Sequence, residues 1–124
     1  MNINIKTIPH KSQLYETVGD WRWGGDDLNI TVSDMGNWKY EMLVGIHEAI
    51  EALLCKDRNI EEKDVSDFDI EFEKNRQEGN NDEPGDDKNA PYRKEHFFAT
   101  SIERLLAAEL SVDWKEYDKS VISL

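Results

Sequence analysis

Residues 37–57 read Asn-Trp-Lys-Tyr-Glu-Met-Leu-Val-Gly-Ile-His-Glu-Ala-Ile-Glu-Ala-Leu-Leu-Cys-Lys-Asp. Leu43, Ile46, Ile50, Leu53 and Leu54 recur at helical spacing, which predicts a helix from Trp38 to about Asp57. Asn37 is a good N-cap, and Asp34 and Gly36 suit the turn before it. Positions 43, 47, 50, 51 and 54 share one face, so His47 and Glu51 border the apolar stripe. Glu51 is therefore expected to be semi-buried. An ionised carboxylate there is costly unless a cation or a donor satisfies it.

Upstream of this helix the period changes to two. Ile3 and Ile5 alternate with polar neighbours, as in a half-buried strand, and a loop follows through Pro9 and Gly19. Trp21-Arg22-Trp23 and Leu28-Asn29-Ile30-Thr31-Val32 flank a Gly24-Gly25-Asp26-Asp27 turn, the pattern of a β-hairpin. The expectation is a small antiparallel sheet of about three strands.

Downstream, Asn59 with Glu62 three residues on reads as a capping box opening a second helix. Val65, Phe68 and Phe72 share a face there, with Asp69 inside it. Residues 68–72 also alternate as a strand would, and the cap favours helix. Residues 77–91 combine turn chemistry with acid and have no large apolar side chain, which predicts a mobile acidic loop. Its Asp82, Glu83, Asp86 and Asp87 do not have calcium-loop spacing. Pro91 suits the first turn of a third helix, roughly 91–111. Phe98, Ile102, Leu105, Leu106 and Leu110 give that helix an apolar face, and His96, Ala99, Glu103 and Leu106 form an adjoining stripe. Val112, Trp114 and Tyr117 read as a strap over the core. The whole is an α+β chain with one domain over residues 1–124: a small N-terminal sheet packed against about three helices.

Composition narrows the partners. The net charge is −12, which disfavours nucleic acid and anionic membrane and suits cations or basic protein surfaces. Mimicry of DNA is compatible with the charge but not specified by it. The single cysteine, Cys55, cannot form an internal disulfide and reads as a buried small hydrophobe in a reducing compartment. Residues 1–8 lack a signal-peptide pattern, and no stretch is long enough to span a bilayer, so a cytoplasmic location is expected.

His47-Glu48-Ala49-Ile50-Glu51 is one residue from His-Glu-x-x-His, the zinc-binding helix motif of metallopeptidases. Residues four apart stack on one helix face, so His47 and Glu51 can address one ion. Glu48 then stands beside it, where a general base for an attacking water belongs. Two histidines and one carboxylate are a common hydrolytic zinc set, and of the remaining histidines His96, inside the third helix, is the better third ligand than His10 in a loop. Glu103 and Asp69 are possible extra ligands or acceptors that orient a histidine. Glu51 in place of histidine is a harder ligand and shifts preference from zinc toward manganese, iron or magnesium.

A small sheet feeding such a helix, followed by a helix with the third ligand, resembles the minimal zincin plan of ImmA/IrrE-type metallopeptidases of phage and mobile elements. Glu95-His96-Phe97-Phe98-Ala99 is similar to that group's later helix, with His96 where Asn or Asp often stands. The resemblance spans residues of about 28–110 and rests on these two short motifs. It implies a metal-dependent hydrolase acting on a protein or peptide, or an inactive relative. The chain also looks like small phage and prophage proteins in general. Two other readings stay open: a non-catalytic acidic interaction protein working through its Trp-rich hairpin or acidic loop, and a MazG-like nucleotide pyrophosphohydrolase. Glu48-Ala49-Ile50-Glu51 fits the first half of the MazG magnesium set, but the N-terminal sheet argues against it.

Overall fold

The computed structural model describes all 124 residues. Three strands, β1 (Ile3–Ile8), β2 (Gly19–Gly24) and β3 (Asp27–Ser33), form one sheet in the order β1-β3-β2. Four helices follow: α1 (Trp38–Asp57), α2 (Glu62–Lys74), α3 (Arg93–Glu109) and α4 (Trp114–Ile122). The fold is α+β, as the periodicity predicts.

Strands β2 and β3 form the expected antiparallel hairpin, with Trp21 opposite Ile30. Only the first residue of its two-residue turn, Gly25, has positive φ, at 63°, the type II′ pattern that matches strand twist. The sheet is mixed, however, and not antiparallel throughout: β1 pairs parallel with β3, Ile5 opposite Ile30. Strand β3 takes the middle as the most apolar of the three, its Leu28, Ile30 and Val32 all but inaccessible at 2%, 1% and 0% exposure. It runs opposite to β2 and with β1, so the two outer strands oppose each other across it. Strand β1 remains a largely exposed edge.

Helix α1 begins as its sequence predicts. The Asn37 side chain accepts from the backbone N–H groups of Lys39 and Tyr40. Gly45 lets the helix lie close on the sheet, since a Cβ there would stand 3.0 Å from Ile5. Asn59 ends α1 and does not open α2. Its φ is 56°, Ile60 N–H donates to Cys55 C=O at 2.9 Å, and Asn59 N–H donates to Lys56 C=O at 3.3 Å. This is a Schellman closure with Asn in the left-handed position. Helix α2 starts three residues later, capped by Glu61 without a side-chain bond, and its span settles residues 66–73 as helix.

Helix α3 is slightly shorter than the expected 91–111. Its inward face takes only part of the apolar stripe: Leu106 and Leu110 pack half-buried against the core, Phe98 and Leu105 are exposed, and Glu95, His96, Ala99, Glu103 and Ala107 are buried. The expected strap is the short helix α4, capped by Asp113, with only Tyr117 buried. Between α2 and α3 the chain turns through a 3-10 segment, Pro84–Asp86, whose Gly85 is buried. Cys55 is inaccessible, and burial pushes its thiol up to about 12. No helix is long and apolar enough to cross a membrane.

Candidate metal centre

Helices α1 and α3 lie side by side and bring three buried side chains to one point. His47 Nε2 stands 3.0 Å from Glu51 Oε2, His96 Nδ1 stands 3.1 Å from the same oxygen, and the two nitrogens are 3.2 Å apart. These atoms form a nearly equilateral triangle. Ligands about 2.0–2.1 Å from a tetrahedral ion would stand about 3.3 Å from one another. The triangle thus has nearly the size of one face of such a tetrahedron, slightly contracted. The sequence-derived set of His47, Glu51 and His96 is brought together, and it could hold a metal ion.

The outward atoms of all three are occupied, which fixes where the lone pairs point. His47 Nδ1–H donates to Glu103 Oε1 at 2.8 Å, and Tyr117 O–H donates to Glu103 Oε2 at 2.5 Å. His96 Nε2–H faces Glu83 Oε2 at 2.9 Å and Asp86 Oδ1 at 3.1 Å. Trp21 Nε1–H donates to Glu51 Oε1 at 3.1 Å. With each imidazole's outer N–H committed to a carboxylate, the neutral ring turns a lone pair inward. Carboxylates in this position orient metal-binding histidines and make them more basic.

The electrostatics follow from the same contacts. Burial drives His47 toward neutrality, but hydrogen bonds to Glu103 and Glu51 outweigh it and hold the ring well above its usual range. His96 behaves alike: against the pull of burial, Asp86, Glu51 and Glu83 push it up to about 12. Burial would raise Glu51, yet the two imidazoles hold it down at about 2. The cluster is therefore a preformed anionic socket that takes positive charge as protons or as a cation.

Glu48 occupies the same cleft one residue on from His47, half-buried, its stem against Gly19 of β2. It makes no hydrogen bond within the chain. Burial first, and the Glu51 charge second, raise its proton affinity well above that of an ordinary carboxylate. Asp69 of α2 reaches neither histidine. It accepts from Tyr15 at 3.0 Å and from Tyr92, and burial lifts it to about 7 against the help of those hydroxyls. Of the two possible auxiliary acids, Glu103 orients His47, and Asp69 forms a tyrosine-bound post beside the centre.

Sequence reasoning missed Trp21, Tyr117, Glu83 and Asp86. One signal could have found part of this set. Glu83-Pro-Gly-Asp86 places a glycine where the chain must approach a large side chain: a Cβ on Gly85 would lie 2.3 Å from His96 Cγ. His10 lies apart, bonded to Ser33 at 2.8 Å and Glu16 at 3.0 Å. Compared with protein-family models, curated proteins and solved structures, the chain matches none.

Proposed function

We propose that this protein is a metal-dependent hydrolase with a zincin-like centre, in which His47, Glu51 and His96 hold a divalent cation and Glu48 is the general base. The observation that carries the reading is the convergence of three inward-facing donor atoms at 3.0–3.2 Å, each with its outer partner already bonded. Two imidazoles and one carboxylate suit zinc, and the hard oxygen also admits manganese or iron. The resemblance of His47-Glu48-Ala49-Ile50-Glu51 and Glu95–Ala99 to ImmA/IrrE-type metallopeptidases supports the same assignment, while the general likeness to small phage proteins bears on origin and assigns no chemistry.

When bound, the cation supplies Lewis acidity toward the scissile carbonyl and toward water. Glu48 takes a proton from water as its oxygen attacks the carbonyl carbon. It then delivers that proton to the leaving nitrogen as the C–N bond breaks, giving one acid and one amine. Positive charge beside Glu51 also brings Glu48 into its basic, ionised form, because the neighbouring anion that raises it is then offset. The closed α1–α3 wall behind the centre leaves the cleft as the approach for a substrate chain.

Two measurements test this. Protein purified without chelator should carry close to one metal per chain, falling sharply in His47→Ala and His96→Ala. A folded wild type that neither retains metal nor binds added zinc or manganese by calorimetry overturns the reading. Glu48→Gln should keep the metal and lose peptide hydrolysis by about 10²–10⁴-fold. Undiminished hydrolysis in that variant removes Glu48 as base.

A further inference from the structure

Helix α1 is covered on three sides. Its Val44, His47, Glu48 and Glu51 face the cleft, Gly45 lies against the sheet, and α3 runs along a further side. The remaining side is bare. Met42, Ile46, Ile50 and Leu53 recur there at three- and four-residue steps, a single stripe turned away from the metal centre. Beside it α3 presents Phe98, Ile102 and Leu105. Leu53, Phe98 and Leu105 are 50%, 53% and 66% exposed. The two helices run antiparallel: His47 meets Glu103, Arg58 meets Glu95, and Lys39 Nζ donates to Leu110 C=O at 2.9 Å. The middle of one stripe therefore lies level with the middle of the other.

Charge is absent from both stripes and returns at their ends. Lys39 and Asp57 bound the stripe of α1, and Lys94 and Glu109 bound that of α3. All four are placed against their own helices. The lysines sit in the first turns and the acids close the last turns, where the helix dipole favours the opposite sign. None of the four has an ion-pair partner within the chain. Their arrangement is self-complementary. Laid antiparallel on a copy of itself, α1 sets Lys39 against Asp57, Met42 against Leu53 and Ile46 against Ile50. In the same way α3 sets Lys94 against Glu109 and Phe98 against Leu105. One two-fold axis crossing both helices produces all these pairs, because the stripes share a midpoint.

The apolar area shown by the two stripes is on the order of 500 Å², near the upper size of the largest patch on an ordinary monomer. With the four bounding side chains each copy brings about 800 Å², the area a stable interface takes from each partner. The rim carries two lysines and two acids, so it suits neither an anionic surface nor a basic one, and it matches itself.

We propose that a second copy of this chain covers this face, α1 on α1 and α3 on α3, antiparallel about a two-fold axis. The two clefts then open on opposite sides of the dimer, and the pairing is independent of metal and of hydrolysis.

Sedimentation velocity of the full chain tests it. Wild type should be dimeric at about 100 μM and dissociate on dilution. Leu53→Glu with Leu105→Glu should weaken the dimer by about tenfold or more, with an unchanged circular dichroism spectrum, because both side chains are already exposed in the single copy. Lys94→Glu is the finer probe. It suits the dipole of α3, so dilute, monomeric protein should melt no lower, yet the dimer should weaken severalfold. Adding Glu109→Lys should restore it. Lys115→Glu makes the same charge change on α4, whose Trp114 and Tyr117 line the cleft, and should leave the dimer near wild-type strength. A wild type that stays monomeric at that concentration overturns the proposal, as does a dimer indifferent to the Leu53 and Leu105 changes. Failure of Glu109→Lys to rescue Lys94→Glu, or equal weakening by Lys115→Glu, overturns it too, since net charge and not pairing then governs association. Monomer that floats with phosphatidylcholine vesicles, and ceases to in the Leu53 and Leu105 variant, assigns the face to lipid and likewise overturns it.

Discussion

Glu51 uses its two oxygens for different tasks, one in the ligand triangle and one under the Trp21 indole. Trp21→Phe keeps the ring packing and removes the donor, so the carboxylate is free to turn. Cation affinity is expected to fall about 10–100-fold by calorimetry, the usual cost of losing an orienting partner. Glu103 serves His47 and Tyr117 together. Glu103→Ala leaves two buried donors without partners and should cost about 2–6 kcal/mol in denaturant unfolding, at about 1–3 kcal/mol for each orphan. Glu103→Gln, which keeps one acceptor oxygen, should cost less than the alanine change while still weakening the cation. The i, i+4 pair of His47 and Glu51 was legible because helical spacing alone places it. The Glu103 contact to His47 was not, because it depends on the axial register of α1 against α3, which no single-helix pattern encodes.

Among elements, α1 was the most readable: its cap, its length and its borderline polar residues all agree with one answer. Asn37→Ala should lower stability by about 1 kcal/mol, the common cost of an N-cap. Asn59 was misassigned because asparagine suits both an N-cap and a left-handed C-terminal position, and Glu62 downstream completes a capping-box pattern without forming one. The orientation of β1 was hidden for another reason, since alternation along a single strand marks its buried face and carries no sign of the direction in which it pairs. In α3 the apolar stripe is split: Leu106 and Leu110 pack against the core while Phe98 and Leu105 stay exposed beside a buried polar row, so hydrophobic periodicity named only part of the inward side. The 3-10 segment after α2 supplies two acids to His96 only because Gly85 lets the backbone close in. Gly85→Ala forces that turn away from the ring, with a Cβ that would sit 2.3 Å from His96 Cγ. The expected outcome is a loss of about 1–3 kcal/mol, as for other overpacked sites. The His96 ring resonances should also shift in NMR spectra, and His47 should be less affected.

For the whole molecule, the buried titrating groups set a pH profile with a definite sign. His47 and His96 bind protons more tightly when folded than the ordinary imidazole near 6.5, His96 up to about 12. Above roughly pH 6.5 the unfolded chain has shed protons that the folded chain retains, so stability falls as pH rises. Asp69, lifted from 3.8 to about 7, adds the same sign between those values. Glu51, held at about 2 against 4.5, acts oppositely, and its contribution is lost only in acid. The metal-free chain should therefore melt at lower temperature at pH 9 than at pH 6. Zinc at 100 times its dissociation constant should restore about 2.7 kcal/mol at pH 8. The α+β class was legible from the change of period along the chain. The mutual placement of Trp21, the two ligand helices, the 3-10 turn and Tyr117 was not, since those parts are far apart in sequence. That dispersal has a consequence for synthesis. A nascent chain exposes His47 long before Tyr117 has left the ribosome, so the orienting network cannot close until the last helix docks. Any fragment that stops short of residue 117 lacks the hydroxyl that holds Glu103 against His47.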